Sequence, residues 1–171
     1  LAEAGFPGGA DFPKTTIIYN TNENHKRIAE YIQQKWEEVL GLEVEIENQE
    51  WATFLDNRQT QNFMVARSGW QGDYVDPNTF LQDLLHSKSG NNDGKYSNPQ
   101  FDKYIDDAAL LPDGKERYNL LRKAEELAIS EDMGIMPIYY YARHNWVDTS
   151  VWGGWYSNIQ DLHPYKAIYK K

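Results

Sequence analysis

The chemistry-bearing residues of this chain concentrate in one run, Ala66-Arg67-Ser68-Gly69-Trp70-Gln71-Gly72-Asp73-Tyr74-Val75-Asp76-Pro77, directly after the apolar Phe63-Met64-Val65. The glycines leave main-chain groups open to a ligand. Arg67 can neutralise an anion and Asp73 a cation, while Trp70 supplies a flat apolar wall. These are the parts needed to hold a zwitterion by its backbone and both ends. Asp73 and Asp76 also stand three apart, which leaves open a carboxylate pair for hydrolysis. That spacing in a loop is weak, and Asp76 before Pro77 is well explained as a turn residue. A lone Asp73 opposite an ammonium group is the simpler idea.

Other candidates are balanced between chemistry and structure. His25 stands at the start of a helix, where it is either a solvated end residue or a cation beside an anion drawn to the helix N-terminus. Arg58 shares a helical face with Trp51, and its stem reads as cover for an aromatic ring. In the run Tyr139-Tyr140-Tyr141, strand alternation predicts at least one buried ring and an opposite face that lines a cleft. Trp152 and Trp155, beside Gly153 and Gly154, read as packing anchors. Asn91-Asn92-Asp93 hints at calcium but lacks the ordered alternation and closing Glu of a calcium loop. His25, His86, His144 and His163 form no zinc spacing, and no nucleophile elbow, P-loop or dinucleotide fingerprint is present. Catalytic residues, metal ligands and cofactors are therefore all expected to be none.

The elements that must position these residues follow from periodicity. Thr15–Tyr19 is β-rich. From His25 to Leu40, apolar residues fall on one helical face, and Gly41 ends the helix. Leu42, Val44 and Ile46 alternate with Glu43, Glu45 and Glu47, which predicts a half-buried strand with an acidic outer face. Glu50 to Gln61 predicts a helix with Trp51, Phe54, Leu55 and Arg58 on one side, and Phe63 to Ser68 the next strand. The order β, α, β, α, β indicates an α/β layer with parallel strands.

Further on, Asn78 to Leu85 reads as a short helix, followed by a polar loop from Ser87 to Tyr96. Asn98-Pro99 opens a helix that buries Phe101, Tyr104, Ile105 and Ala108. Asp113 with Glu116 predicts a capping box for a helix to about Ser130. Ile135 to Tyr141 predicts a strand, at an edge or bulge because of Pro137. The tail is loop-rich and aromatic.

Composition narrows the function classes. The 171 residues suit one α/β domain with its own core. A net charge of −9 without a Lys/Arg cluster argues against nucleic acid. The 12 Tyr and 6 Trp exceed what a core needs and suit a surface that grips ligands. The chain has no Cys, which excludes thiol catalysis and leaves the compartment open. It holds no apolar run of about 18 residues and no visible signal peptide. Leu1 to Gly9 reads as the last turn of a helix followed by a Gly/Pro loop, so the chain is expected to be a piece of something longer.

Taken together, Leu1-Ala2-Glu3-Ala4-Gly5, Tyr19-Asn20-Thr21 with His25-Lys26, Asn48-Gln49-Glu50-Trp51, Thr53-Phe54-Leu55-Asp56, Val65-Ala66-Arg67, Gly69-Trp70, Asp73-Tyr74, Phe101-Asp102, Lys123-Ala124-Glu125, Pro137 with Tyr139-Tyr140-Tyr141, and Trp152-Gly153-Gly154 form a familiar set. They make the chain closely resemble the C-terminal part of the family 5 extracytoplasmic solute-binding proteins of oligopeptide ABC transporters. The resemblance implies one lobe of a type II periplasmic-binding-protein fold, with a mixed sheet flanked by helices. It also implies a longer, monomeric, two-lobed receptor that is periplasmic or extracytoplasmic, with a lipid anchor on an absent N-terminus as one mode of attachment. Such a receptor closes on an extended short peptide and delivers it to ABC permease membrane subunits.

The implied roles follow position by position. Asp73 pairs with the peptide's α-ammonium group, and Gly69 and Gln71 hydrogen-bond its backbone in strand fashion. Arg67 and His25 face the C-terminal carboxylate. Trp51, Arg58 and Trp70 wall side-chain pockets, with Tyr141 a further candidate. Gln71 departs from relatives that carry cysteine there, which leaves main-chain reading intact and changes the neighbouring pocket. The missing N-terminal lobe predicts weak peptide binding by this portion alone. Dipeptides, nickel chelates, haem and oligosaccharides are alternative solutes within the family. A glycoside-acting enzyme built on Asp73, or an adhesin or signalling receptor, stands outside transport.

Overall fold

Thr15 to Asn20 carries the β-branched residues that favour a pleated strand, and it is the central strand of the sheet. The computed structural model describes residues 1–171, which divide into two compact units, Leu1–Trp70 and Gln71–Lys171. The first unit holds a parallel three-stranded sheet in the order β2-β1-β3, formed by β1 (Thr15–Asn20), β2 (Val44–Gln49) and β3 (Val65–Ala66). Ile17 lies opposite Ile46 on one side and Val65 on the other.

The parallel pairs are joined by helices, as parallel strands require. After β1, Asn22 accepts hydrogen bonds from the Asn24 and His25 main-chain N–H groups and starts α1 (Glu23–Lys35). The predicted helix to Leu40 continues as a wider π-type turn over Trp36–Leu40 and stops at Gly41, where φ is +69°. A side chain there would strike the backbone of Gly8, so glycine is required both by the turn and by the close approach. Helix α2 (Trp51–Gln59) is capped by Glu50, which accepts from the Ala52 N–H. Ile17, Leu42 and Val44 form the buried centre of this unit, covered by Phe12, Ile32, Trp36 and Val65. The expected acidic outer face of β2 is present, with Glu45 and Glu47 exposed beside buried Val44. The strand expected over Phe63 to Ser68 is shorter, pairing only at Val65 and Ala66, although the Arg67 N–H still donates to Ile18 O at 2.9 Å.

The second unit is helical. It contains α3 (Asn78–Leu85), α4 (Pro99–Ala109) and α5 (Lys115–Glu125), the last continued by a π-type segment over Glu126–Glu131. Asn98 caps α4 through Gln100 and Phe101 N–H, with Pro99 at the first helical position, as expected. Phe101, Ile105, Ala108, Leu121, Ala124 and Ala128 interlock with Leu81 and Leu85. Burial of each large side chain here contributes about 1.5–3 kcal/mol.

Two expectations for this half do not hold. No capping box forms at Asp113 and Glu116, because α5 begins one residue later, behind an extended Gly114 without a side-chain cap. The Asp113 carboxylate instead accepts from the Tyr118 hydroxyl and raises its pKa. Nor is Ile135 to Tyr141 a strand. Pro137 offers no N–H and no strand runs beside the segment; the strand pairing of this unit is the antiparallel contact of β4 (Trp152–Gly153) with β5 (Tyr169–Lys170). Without a sheet to lie on, no ring of the tyrosine run is buried, and Tyr140 is 93% exposed. The alternation itself survives: Tyr139 and Tyr141 share a side, with ring centroids 4.7 Å apart.

Candidate functional site

In a 2-1-3 parallel sheet the chain leaves β1 towards β2 on one side while β3 lies on the other. The carboxyl ends of β1 and β3 therefore flank a crevice of the kind where open α/β sheets place ligands. Three polar side chains meet there. Asn20 ends β1, His25 sits in the first turn of α1, and Arg67 follows β3. The Arg67 guanidinium donates to Asn20 Oδ1 at 3.5 Å, and His25 Nδ1 lies 3.3 Å from Asn20 O. A carbonyl only accepts, so Nδ1 carries the hydrogen in that contact, and Nε2 is the nitrogen that gains a proton when the ring becomes charged. Burial, and then the nearby Arg67 charge, hold the His25 pKa below its ordinary value, with the Asn20 bond opposing. One permanent cation and one imidazole that becomes cationic on protonation thus converge at the N-terminal end of a helix, an arrangement that suits an anion. Gly69 makes room for the guanidinium: a Cβ there would stand 2.8 Å from Arg67 Nη2.

On α2 of the same unit, the expected face is present. Phe54 is fully buried, Trp51 stacks on it at 6.0 Å while half exposed, and the Arg58 guanidinium lies 5.5 Å from the Phe54 ring centre. Arg58 therefore covers Phe54 rather than Trp51, one turn further along the same stripe. Trp70 is half-buried.

In the second unit Gln71 is exposed, and Asp73 is held by its main chain. Its N–H donates to Thr79 Oγ1 at 3.1 Å, and its C=O accepts from Gln160 Nε2 at 3.2 Å. Thr79 is fully buried in the first turn of α3. The Asp73 carboxylate is exposed and makes no hydrogen bond or ion pair within the chain. Asp76 is the opposite case. It accepts from the Asn78 N–H at 2.9 Å, the expected turn role, and both its oxygens bind Arg117, at 2.6 and 2.8 Å. That guanidinium holds the Asp76 carboxyl below the usual carboxylate range. The two acids therefore do not form a hydrolytic pair: Asp76 is committed to Arg117. Asn92, in the loop with a hint of calcium, spends its amide on Leu85, His86 and Tyr96 carbonyls and its Oδ1 on the Tyr96 N–H. Trp155 packs as an anchor, stacked on His163 at 3.7 Å, and Tyr141 is 62% exposed beside Tyr139.

Sequence reasoning missed Gln160 and Arg117. Gln160 is 87 positions from Asp73 and sits in an irregular tail, and Arg117 reads as one of several charges on α5. No local pattern marks either.

Residues 1–92 match the bacterial extracellular solute-binding proteins, family 5 (middle). The chain belongs to this family. Among its relatives, the periplasmic oligopeptide-binding protein OppA of Salmonella typhimurium is 44% identical over 163 residues, covering 95% of this chain and 29% of that protein. The oligopeptide-binding protein OppA of Bacillus subtilis is 38% identical over 86% of this chain and 27% of its own length. The chain thus spans under a third of the length of these relatives. The Burkholderia pseudomallei OppA structure superposes with a TM-score of 0.86 at 31% identity, covering all of this chain and 33% of that one. A Haemophilus influenzae OppA complex with the peptide RPPGFSPFR gives a TM-score of 0.76 at 40% identity, over 82% of this chain and 27% of that one. The fold is the α/β fold of family 5 periplasmic binding proteins. No helix of the chain is long and apolar enough to cross a membrane.

Proposed function

We propose that this chain is a portion of one lobe of an oligopeptide receptor, the substrate-binding component of an ABC transporter, which captures short peptides and passes them to a membrane permease. Arg67 holds the peptide's carboxylate, and His25 adds a second donor once protonated. Asp73 holds the α-ammonium group, Gly69 and Gln71 bond the peptide main chain, and Trp51, Arg58, Trp70 and Tyr141 wall side-chain pockets. The receptor works as a monomer outside the cytoplasm, lipid-anchored where its N-terminus provides for it, and it performs no chemistry on its cargo. The observation that carries the reading is the Asp73 carboxylate, fixed at both main-chain groups yet spending neither oxygen inside the protein. A carboxylate held this way is available to an external cation. The engagement of Asp76 by Arg117 counts against a two-carboxylate glycosidase.

Native mass spectrometry of the full-length receptor purified from cells tests this. A ladder of bound masses differing by amino-acid residues is expected. A bound haem, metal chelate or sugar series, or turnover of a glycan, overturns it. The 171-residue portion alone should bind peptide more weakly than the whole receptor, and equal affinities by calorimetry would contradict the division of the site.

A further inference from the structure

The tail around Gln160 is more constrained than its lack of regular structure implies. Asn158 and Leu162 close a small ring, with the Leu162 N–H donating to Asn158 Oδ1 and Asn158 Nδ2 to Leu162 O, each at 3.0 Å. The Asp161 N–H returns to Asn158 O at 3.1 Å, and Asp161 takes up φ +54°. The Asp161 carboxylate then gathers His163 Nε2 at 2.8 Å and Asn145 Nδ2 at 2.6 Å. Trp155 lies flat on the His163 ring, 3.7 Å away with a 13° tilt. These bonds hold a tight turn with Gln160 at its tip, next to the strained Asp161. From there Gln160 Nε2 reaches Asp73 O.

Asp73 is therefore gripped on both main-chain sides by side chains of very different origin. Thr79, buried and helical, fixes its N–H; Gln160, presented by the tail turn, fixes its C=O. Gly72 pins the preceding residue, since a Cβ there would press on Thr79 Cγ2 at 3.0 Å and the Phe80 ring at 3.2 Å. With the peptide units before and after Asp73 both fixed, its Cα–Cβ direction is set, and only side-chain rotation is left to lose on binding.

We propose that Gln160 is a positioning residue for Asp73, and that the Asn158–His163 turn thereby sets the receptor's preference for ligands with a free amino terminus. This rests on the reading of Asp73 as the ammonium anchor. Removing the Gln160 donor leaves every ligand contact in place but frees the Asp73 carbonyl, so the carboxylate samples directions away from the ammonium group. The cost falls on charged amino ends alone.

The test uses the full-length receptor and one tripeptide in free-amine and N-acetylated forms, with affinities from calorimetry. Gln160→Met keeps the length and removes the donor, and Gln160→Ala removes the side chain; the position is half-buried, and thermal melts report whether each variant folds as the wild type does. Both variants should narrow the free-amine to acetylated affinity ratio by about 3-fold, leaving the acetylated peptide unchanged. Asp73→Asn should collapse the ratio, and adding Gln160→Met to it should narrow it no further. A ratio that stays at the wild-type value in both Gln160 variants, or equal weakening of both peptides, overturns the positioning role while Asp73→Asn still collapses the ratio. Should Asp73→Asn itself leave the ratio unchanged, the ammonium-anchor reading falls and the inference with it.

Discussion

Arg67 and Asp73 are six residues apart in sequence and are held by opposite means. Arg67 follows a strand in a parallel sheet, with its N–H on Ile18 and its guanidinium beside Asn20, so regular secondary structure fixes it. Asp73 lies in a loop and owes its position to a helix hydroxyl at one peptide group and a tail amide at the other. A cation placed by a sheet moves only if the sheet moves. An anion placed by two side-chain bonds can be adjusted, by mutation or by ligand, without disturbing a core. Charge recognition at the two ends of a peptide should thus differ in how easily it is damaged from a distance.

The most severe way to break this comparison is at the loop-held end. Asp73→Asn should weaken a free-amine peptide by about 10- to 100-fold, since a hydrogen bond to a charged group is worth about 1.5–3 kcal/mol. Calorimetry on the full-length receptor measures this, and an unchanged affinity removes Asp73 from the site. At the sheet-held end, Arg67→Met should weaken a peptide with a free carboxylate by about tenfold relative to its amide. The same change removes the second of the two effects that depress the His25 pKa, so the imidazole should titrate at higher pH than in the wild type. Proton NMR of the His25 ring reads this directly; an unmoved titration would separate the two residues.

His25 also carries a pH signature with a definite sign. Its pKa is lowered by burial and by Arg67, and a carboxylate held there as proposed would raise it. Protonation and carboxylate binding therefore help each other. Affinity should climb as pH falls through the His25 pKa of the complex and level off below that of the receptor alone.

How much of this was legible in the sequence follows the same division. The βαβαβ order, a helix beginning near His25 and the Arg67 strand end can all be read, because parallel strands and amphipathic helices impose periods and end signals on neighbouring residues. Val44, Ile46 and the intervening glutamates show their faces by alternation alone. The Ile135 to Tyr141 segment failed for a physical reason: β-propensity describes a surface that fits a sheet, and it cannot supply the neighbouring strand. Asp113 and Glu116 failed because a capping box requires the helix to start at one residue, and boundaries move by one or two at little cost. Gln160 and Arg117 were illegible because their partners lie 87 and 41 positions away, and a single long-range bond leaves no period behind.

The support under the loop can be probed without touching a ligand contact. Asp76 and Arg117 are both largely buried and joined by a two-pronged bond, which ties the start of α3 to α5. Asp76→Asn should cost about 1–3 kcal/mol in urea unfolding. The native Asp76 pKa is depressed, mainly by Arg117, so its stabilisation is complete above the unfolded carboxylate value of about 3.9 and is lost as pH falls through the native value. Wild type and variant should therefore converge in stability at acid pH. A gap that persists there would assign the loss to packing rather than to charge.

The smallest effect sharpens the comparison most, because it asks whether the sheet-held cation is as rigid as its backbone. Gly69→Ala places a methyl group 2.8 Å from Arg67 Nη2 and 3.3 Å from its Cζ. Those atoms are the far end of a flexible side chain, so the guanidinium gives way while β3 stays paired. The melting temperature should hardly move. Carboxylate recognition should weaken by about 2- to 5-fold, less than for Arg67→Met, and the fall in His25 pKa caused by Arg67 should be partly relieved as the charge withdraws. If affinity and His25 titration both stay at wild-type values, the guanidinium can bind without lying over Gly69, and the sheet fixes only its backbone. If they shift together while stability holds, the glycine is part of how the strand end aims its charge, the counterpart at this end of the role proposed for Gln160 at Asp73.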